Sequence, residues 1–249
     1  MAMERDLSLA DRKVDTKPSR DVIVFRIDDI DRHFQESLDL IQKQLNCIDD
    51  ISALDECVAE EVLRAQIVAL DSAFDFYLHE VIKFGIVAIY HRDNGFLPTK
   101  KYNNLPVQMT YIEDAIAQHP DDTWLKDWID VTYSWKPYMS YESFKEVCHL
   151  IDVGVSRVSD AIYQRGKGID PIQELRSAID NLYDHRNRIA HQSDRQSENA
   201  VRCVITKDTV ETYIRNIKGI VSEMSKQIKE KQSGVDGQSS EEEKTDDEP

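Results

Sequence analysis

The sequence predicts an all-α fold, a helical bundle of about six to seven helices with at most one short extended segment. Three observations carry this. Apolar residues recur every three or four positions over most of the chain, which is the helical period. No strand–helix alternation occurs, so a doubly wound parallel sheet is not expected. Only AVRCVIT (200–206) alternates, so at most one short extended segment is predicted.

The elements follow in order. Residues 1–20 are polar and charged, with Pro18 near their end, and are expected to be disordered. Ile27, Ile30, Phe34, Leu38, Ile41, Leu45 and Ile48 are spaced 3, 4, 4, 3, 4 and 3, an amphipathic helix of about six turns. A second helix is predicted from about Ser52 to Tyr90. It carries two apolar stripes, Leu54–Val58–Val62–Ala65–Ala69–Ala73–Phe76 and Leu63–Ile67–Leu70–Phe74–Tyr77–Val81–Phe84. A helix covered on more than one side belongs at the centre of a bundle, and Gly85 is a candidate bend. HRDNGFLPTKKYNNLP (91–106) reads as a loop, followed by shorter helices near 107–118 and 122–134. Trp124, Trp128, Trp135, Tyr133 and Tyr138 read as an aromatic satellite core, with base stacking as the functional alternative.

Ser143 and Glu146 have capping-box spacing for a helix over 144–163. QRGKGIDP (164–171) is a turn whose Lys167 lies between two glycines, too weak a pattern to signal a phosphate site. Pro171 suits a first helical position, where its missing N–H costs nothing, and opens a helix to about 191. AVRCVIT (200–206) is the one candidate extended segment. Asp208 and Glu211 then open a helix through about 230. The principal domain is therefore 21–230, and 231–249, with two lysines and seven acids, is an acidic, disordered tail.

Composition limits the function. The net charge is −16, and −11 remains once residues 231–249 are set aside. Such a body lacks the basic face of a protein that coats nucleic acid, although a small local phosphate site is compatible with it. Cys47, Cys57, Cys148 and Cys203 are scattered, without CxxC spacing. Neither a zinc site nor a disulfide framework is indicated, no metal or cofactor is called for, and the reduced cytoplasm is the expected compartment. No apolar run approaches the roughly 20 residues of a membrane span.

The chemistry points to YDHRNRIAHQSD (183–194). Leu175, Ile179, Leu182 and Ile189 form one seam of the last-but-one helix, and the seam needs an apolar residue at 186. Arg186 stands there. A charge in a buried stripe is costly unless paired or met by a ligand, and such local conflicts collect at functional sites. Asp180, Asp184, Asn187 and His191, spaced 4, 3 and 4, share a polar face. Arg186 and His191 diverge by about 140° around the helix, so a composite site between two copies packed about a twofold axis would bring two such sets together. His185 and Arg188 read as bystanders. Arginine matches a phosphate, and histidine moves a proton near neutral pH. The set suits RNA cleavage by internal attack of the ribose 2′-OH, with His191 as base and Arg186 steadying the phosphate. The plainer reading is a structural ion pair of Arg186 with Asp71 or Asp75.

The RNRIAH stretch, with Arg186, Asn187 and His191, resembles the R-x4–6-H signature of the HEPN superfamily of ribonucleases, in which a polar residue follows the arginine. IVALDSAFDFYLHEVIKFGI (67–86) looks like the first core helix of the RiboL-PSP-HEPN type, and the order of elements over about 50–225 is similar. The resemblance implies a HEPN-like helical bundle, a homodimer with its active site at the interface, and cleavage of an RNA substrate without metal or cofactor. It also implies a place in toxin–antitoxin, antiviral or stress-response systems, with an antitoxin or regulatory partner. Asp184, Asp75 and His79 are the candidate supporting residues. Family members that lack the motif only bind or scaffold, so a non-catalytic interaction module is the competing expectation.

Overall fold

A computed structural model describes residues 22–163, 166, 168, 170–196 and 198–234. The N-terminal segment 1–20, Lys167 and residues 235–249 of the predicted tail lie outside the described residues. The start of that tail, expected to be disordered from 231, instead continues the last helix to Gln232, and Lys231 pairs with Asp152. The fold is an all-α bundle with no strand among the described residues. Its helices are α1 (Ile27–Asn46), α2 (Ile48–Leu54), α3 (Glu56–His91), α4 (Lys100–Asn103), α5 (Met109–Gln118), α6 (Thr123–Tyr133), α7 (Tyr141–Ile151), α8 (Val155–Ile162), α9 (Pro171–Gln192) and α10 (Lys207–Gln232). None is long and apolar enough to cross a membrane.

The helix α3 is the axis of the bundle, and α1, α2, α6, α7, α9 and α10 all pack on it. One of its two apolar stripes does most of the packing. Leu63, Ile67, Leu70, Phe74, Tyr77 and Val81 are buried, whereas in the other stripe Val58, Ala65, Ala69 and Phe76 face solvent, Val62 is half-buried and Ala73 is buried. Ala65 and Ala69 present little apolar area, so leaving them uncovered costs little, while Val58 and Phe76 leave larger apolar surface exposed. From Tyr77 to Ile89 the helix is enclosed on most sides. Gly85 does not bend it. The helix runs through that position, and a Cβ there would collide with the Ile151 side chain of α7. The glycine is a point of close helix–helix approach.

The division into helices is finer than the apolar period alone suggests, because side-chain caps cut the chain. Asp55, in extended conformation, accepts from the Cys57 and Val58 N–H groups, ending α2 and starting α3. The helix expected over 144–163 is two. Asp152 is left-handed (φ 57°), and the Gly154 N–H donates to Gln227 Oε1 of α10 at 2.8 Å, so α8 starts afresh. The cap of α7 is Ser140, not Ser143. Its hydroxyl accepts the Ser143 N–H, while Asp180 of α9 accepts the Tyr141 N–H at 2.9 Å. Thr206, not Asp208, caps α10. Pro171 does occupy the first turn of α9, behind Asp170, which accepts the Ile172 N–H. The segment 200–206 reduces to one isolated bridge, between Arg195 and Arg202. Trp128 joins the main core, Trp124 meets Tyr90 edge-on, and Trp135 is 75% exposed, so the tryptophans do not form one cluster.

Candidate functional site

The inward seam of α9, Leu175, Ile179 and Leu182, is fully buried. One turn further on, the seam becomes polar. Arg186 lies flat against α3, its Nε 3.1 Å from Asp71 Oδ2, and its Nη1 donates to Asn187 Oδ1 at 3.0 Å. The seam tolerates this arginine because Asp71 waits beneath it. The Asp71 side chain is 2% exposed, while that of Arg186 stays 37% exposed. The guanidinium therefore bridges the interior and solvent, with its outer side open.

Asp71 has an uncommon environment. Its Oδ1 is buried and has no hydrogen-bond partner. Burial pushes its pKa up, Arg186 opposes this, and Asp75 one turn along adds to it, so the carboxyl rises to about 7. Asp75 behaves differently. Burial raises it, but His79 and the Tyr138 backbone N–H, which donates to it at 2.9 Å, hold it below the ordinary carboxylate value. His79 Nε2 lies 3.6 Å from Asp75 Oδ2, and the imidazole meets the Tyr138 ring edge-on at 5.0 Å. Asp71, Asp75 and His79, spaced i, i+4 and i+8 on α3, thus form a polar track beneath Arg186.

His191 sits in the last turn of α9 and is exposed. Within one copy it does not join Arg186, which turns inward to α3. Asn187 turns toward Arg186. Asp184 is exposed on the outer face, away from the α3 track. One chain therefore brings together Arg186, Asn187, Asp71, Asp75 and His79, and leaves His191 and Asp184 facing outward.

His185 and Arg188 are not bystanders. Ser193 and Asp194 both adopt left-handed backbone (φ 50° and 53°) just after α9, a conformation that costs a non-glycine residue about 1–3 kcal/mol. The turn is held because Asp194 is fully buried in a cationic cage. Its Oδ1 accepts from Arg188 Nε at 2.8 Å and its Oδ2 from Arg64 Nε at 3.0 Å. His185 Nε2 lies 3.6 Å away. Burial alone would raise the Asp194 pKa, but the two arginines bring it below the usual value. Burial lowers that of His185 against the pull of Asp194. Arg64 also reaches the Cys203 carbonyl at 2.7 Å and pairs with Glu60 and Glu61. This cage fixes the end of α9 that carries His191. The sequence holds no local signal for it, since Arg64 and Asp194 are 130 positions apart.

Among the described residues, no group of three or more His, Cys, Asp or Glu side chains is placed to hold a metal ion. No family model matches the chain, and neither a curated protein nor a solved structure gives a match.

Proposed function

We propose that the chain is a HEPN-type, metal-independent endoribonuclease that acts as a homodimer in the cytoplasm, as a toxin or an antiviral or stress-response effector held in check by an antitoxin or regulatory partner. The observation that carries the reading is Arg186 itself. It replaces an aliphatic residue in the α9 seam, is anchored from beneath by a buried carboxylate, and keeps its outer side open to a phosphate. His191 follows at the spacing of the R-x4–6-H signature that the sequence resembles. In the proposed reaction His191 takes the proton of the ribose 2′-OH as O2′ attacks phosphorus. The P–O5′ bond breaks, and the His191 of a second copy protonates the departing 5′ oxygen. The products are a 2′,3′-cyclic phosphate and a 5′-OH. Arg186 compensates the charge that grows on the phosphoryl oxygens, and Asn187 orients Arg186.

Two features support a second copy. Arg186 and His191 point apart on one helix, so a twofold arrangement is needed to bring an arginine and a histidine to one phosphate. Val58, Ala65, Ala69 and Phe76 leave an exposed apolar stripe on α3, on the flank of Asp75 and His79, which offers a face for that copy.

The test is cleavage of single-stranded RNA by the purified protein with chelator present. Wild type should cleave to cyclic-phosphate ends, and His191→Ala should lose at least about a hundredfold of that rate. Equal cleavage by both proteins, or none by either across a broad RNA panel, rules the proposal out. A second reading, a non-catalytic interaction module, is favoured by one observation: the Arg186–Asp71 pair already gives the arginine a structural partner. That reading predicts no cleavage, together with a folded, dimer-independent protein.

A further inference from the structure

The Arg186–Asp71 pair is unlike an ordinary surface ion pair. Its acid is buried and its base is half outside. The acid uses only one oxygen, leaving Oδ1 with nothing to accept from. A carboxylate that is fully needed as an anion is normally saturated with donors, as Asp194 is by Arg64 and Arg188. Asp71 instead sits where a neutral carboxylic acid costs less than a buried anion with one oxygen left unpaired.

We propose that Asp71 is the positioning residue for Arg186, drawing the guanidinium inward when ionised and, once protonated, freeing it to turn outward toward a phosphate. The charged groups that act on Asp71 are few. Arg186 faces it from α9, and Asp75 acts on it along α3, with His79 beyond Asp75. The two carboxylates repel, so uptake of a proton falls to the more buried of them, Asp71. Asp75, with the Tyr138 N–H and His79 as donors, remains ionised. The carboxyl of Asp71 titrates close to neutral pH, so the change would occur under ordinary conditions. In the ionised state Arg186 is neutralised from within and offers a phosphate a weakened charge. In the protonated state its whole charge is available. The ligand in this inference rests on the ribonuclease reading; the coupling between the two side chains does not.

The experiment has two arms. The first follows the side-chain Nε–H signal of Arg186, assigned by comparison with R186K, from pH 5.5 to pH 8. The second measures the affinity of a 2′-O-methyl oligoribonucleotide, which cannot be cleaved, over the same range. The expected result is a shift of the Arg186 signal with a midpoint near neutrality in wild type and none in Asp71→Asn. Oligonucleotide affinity should weaken from pH 6 to pH 8 by roughly tenfold more in wild type than in the variant, which keeps His191. A titration of the Arg186 signal without oligonucleotide binding at any pH sustains the coupling and sinks the ribonuclease reading. An Arg186 signal that does not respond to pH, or an equal pH response in Asp71→Asn, overturns the inference.

Discussion

Asp71 and Arg186 set a stability signature that can be measured without knowing any substrate. The folded-state pKa of Asp71 is raised, to about 7 from 3.8. Folding therefore favours the protonated acid. The resulting stability is fully present below about pH 4 and is lost as pH climbs through 7. Asp71→Asn removes the titration, so it should match wild type near pH 4 and exceed it at pH 8 by on the order of a few kcal/mol, read from urea unfolding at the two pH values. Arg186→Ala should behave conversely. Below pH 7 the orphaned acid simply keeps its proton and the cost is small. Above pH 7 the cost grows by about 1.4 kcal/mol per unit. A melt of this variant at one pH therefore distinguishes little, and melts at pH 6 and pH 8 distinguish much. Asp194 titrates in the opposite sense. Its pKa is depressed, so its contribution holds above the ordinary carboxylate value and fades as acid protonates it. Asp194→Ala should cost about 3 kcal/mol or more in urea unfolding, because buried Arg64 loses its principal partner. At this scale the sequence identified Arg186 as anomalous and offered Asp71 or Asp75 as its partner, of which the fold pairs it with Asp71. It misjudged His185 and Arg188, since what gives them a role is a carboxylate in a strained turn whose other ligand lies on a distant helix.

For whole helices, periodicity located the long ones well and located their ends less well. The seams of α1 and α9 were legible because each has one buried face, and a single face writes a single period. The helix α3 was harder to read. Its second stripe is largely buried as expected, but the first is mostly exposed except at Ala73, and alanine fits either environment. Caps were misread by two or three residues at α7 and α10, since several Ser, Thr and Asp side chains in a row can each cap a helix. What chose among them at α7 was a partner from elsewhere, Asp180 on α9. Gly85 shows the same dependence. A glycine within a helix normally suggests a weak point, yet here it permits α7 to approach α3. Gly85→Ala should destabilise the protein by about 1–3 kcal/mol through overpacking against Ile151, despite alanine's better helix propensity. Thermal unfolding of this one variant checks the sign.

Across the molecule, the bundle class followed from the absence of strand–helix alternation and the dominance of the helical period, with residues 200–206 the one alternating stretch. The candidate site was half legible. Its motif residues lie in one continuous helix and can be read as a string, whereas Asp71, Asp75 and His79 gain meaning only once α3 is laid against α9. Loss of RNA cleavage in His191→Ala, set beside unaltered unfolding, would tie the outward-facing half of the motif to chemistry.

The Arg64–Asp194 bond has a dynamic consequence. Helix ends ordinarily open first, and their amides exchange with solvent by local fraying. The last turn of α9 is stapled to the first third of α3, so it has no independent way to fray. Deuterium uptake at residues 188–192 should follow the slow opening of α3 near residue 64 rather than the fast breathing of a terminus. The imidazole of His191 would then be carried on one of the stiffest helix ends of the protein.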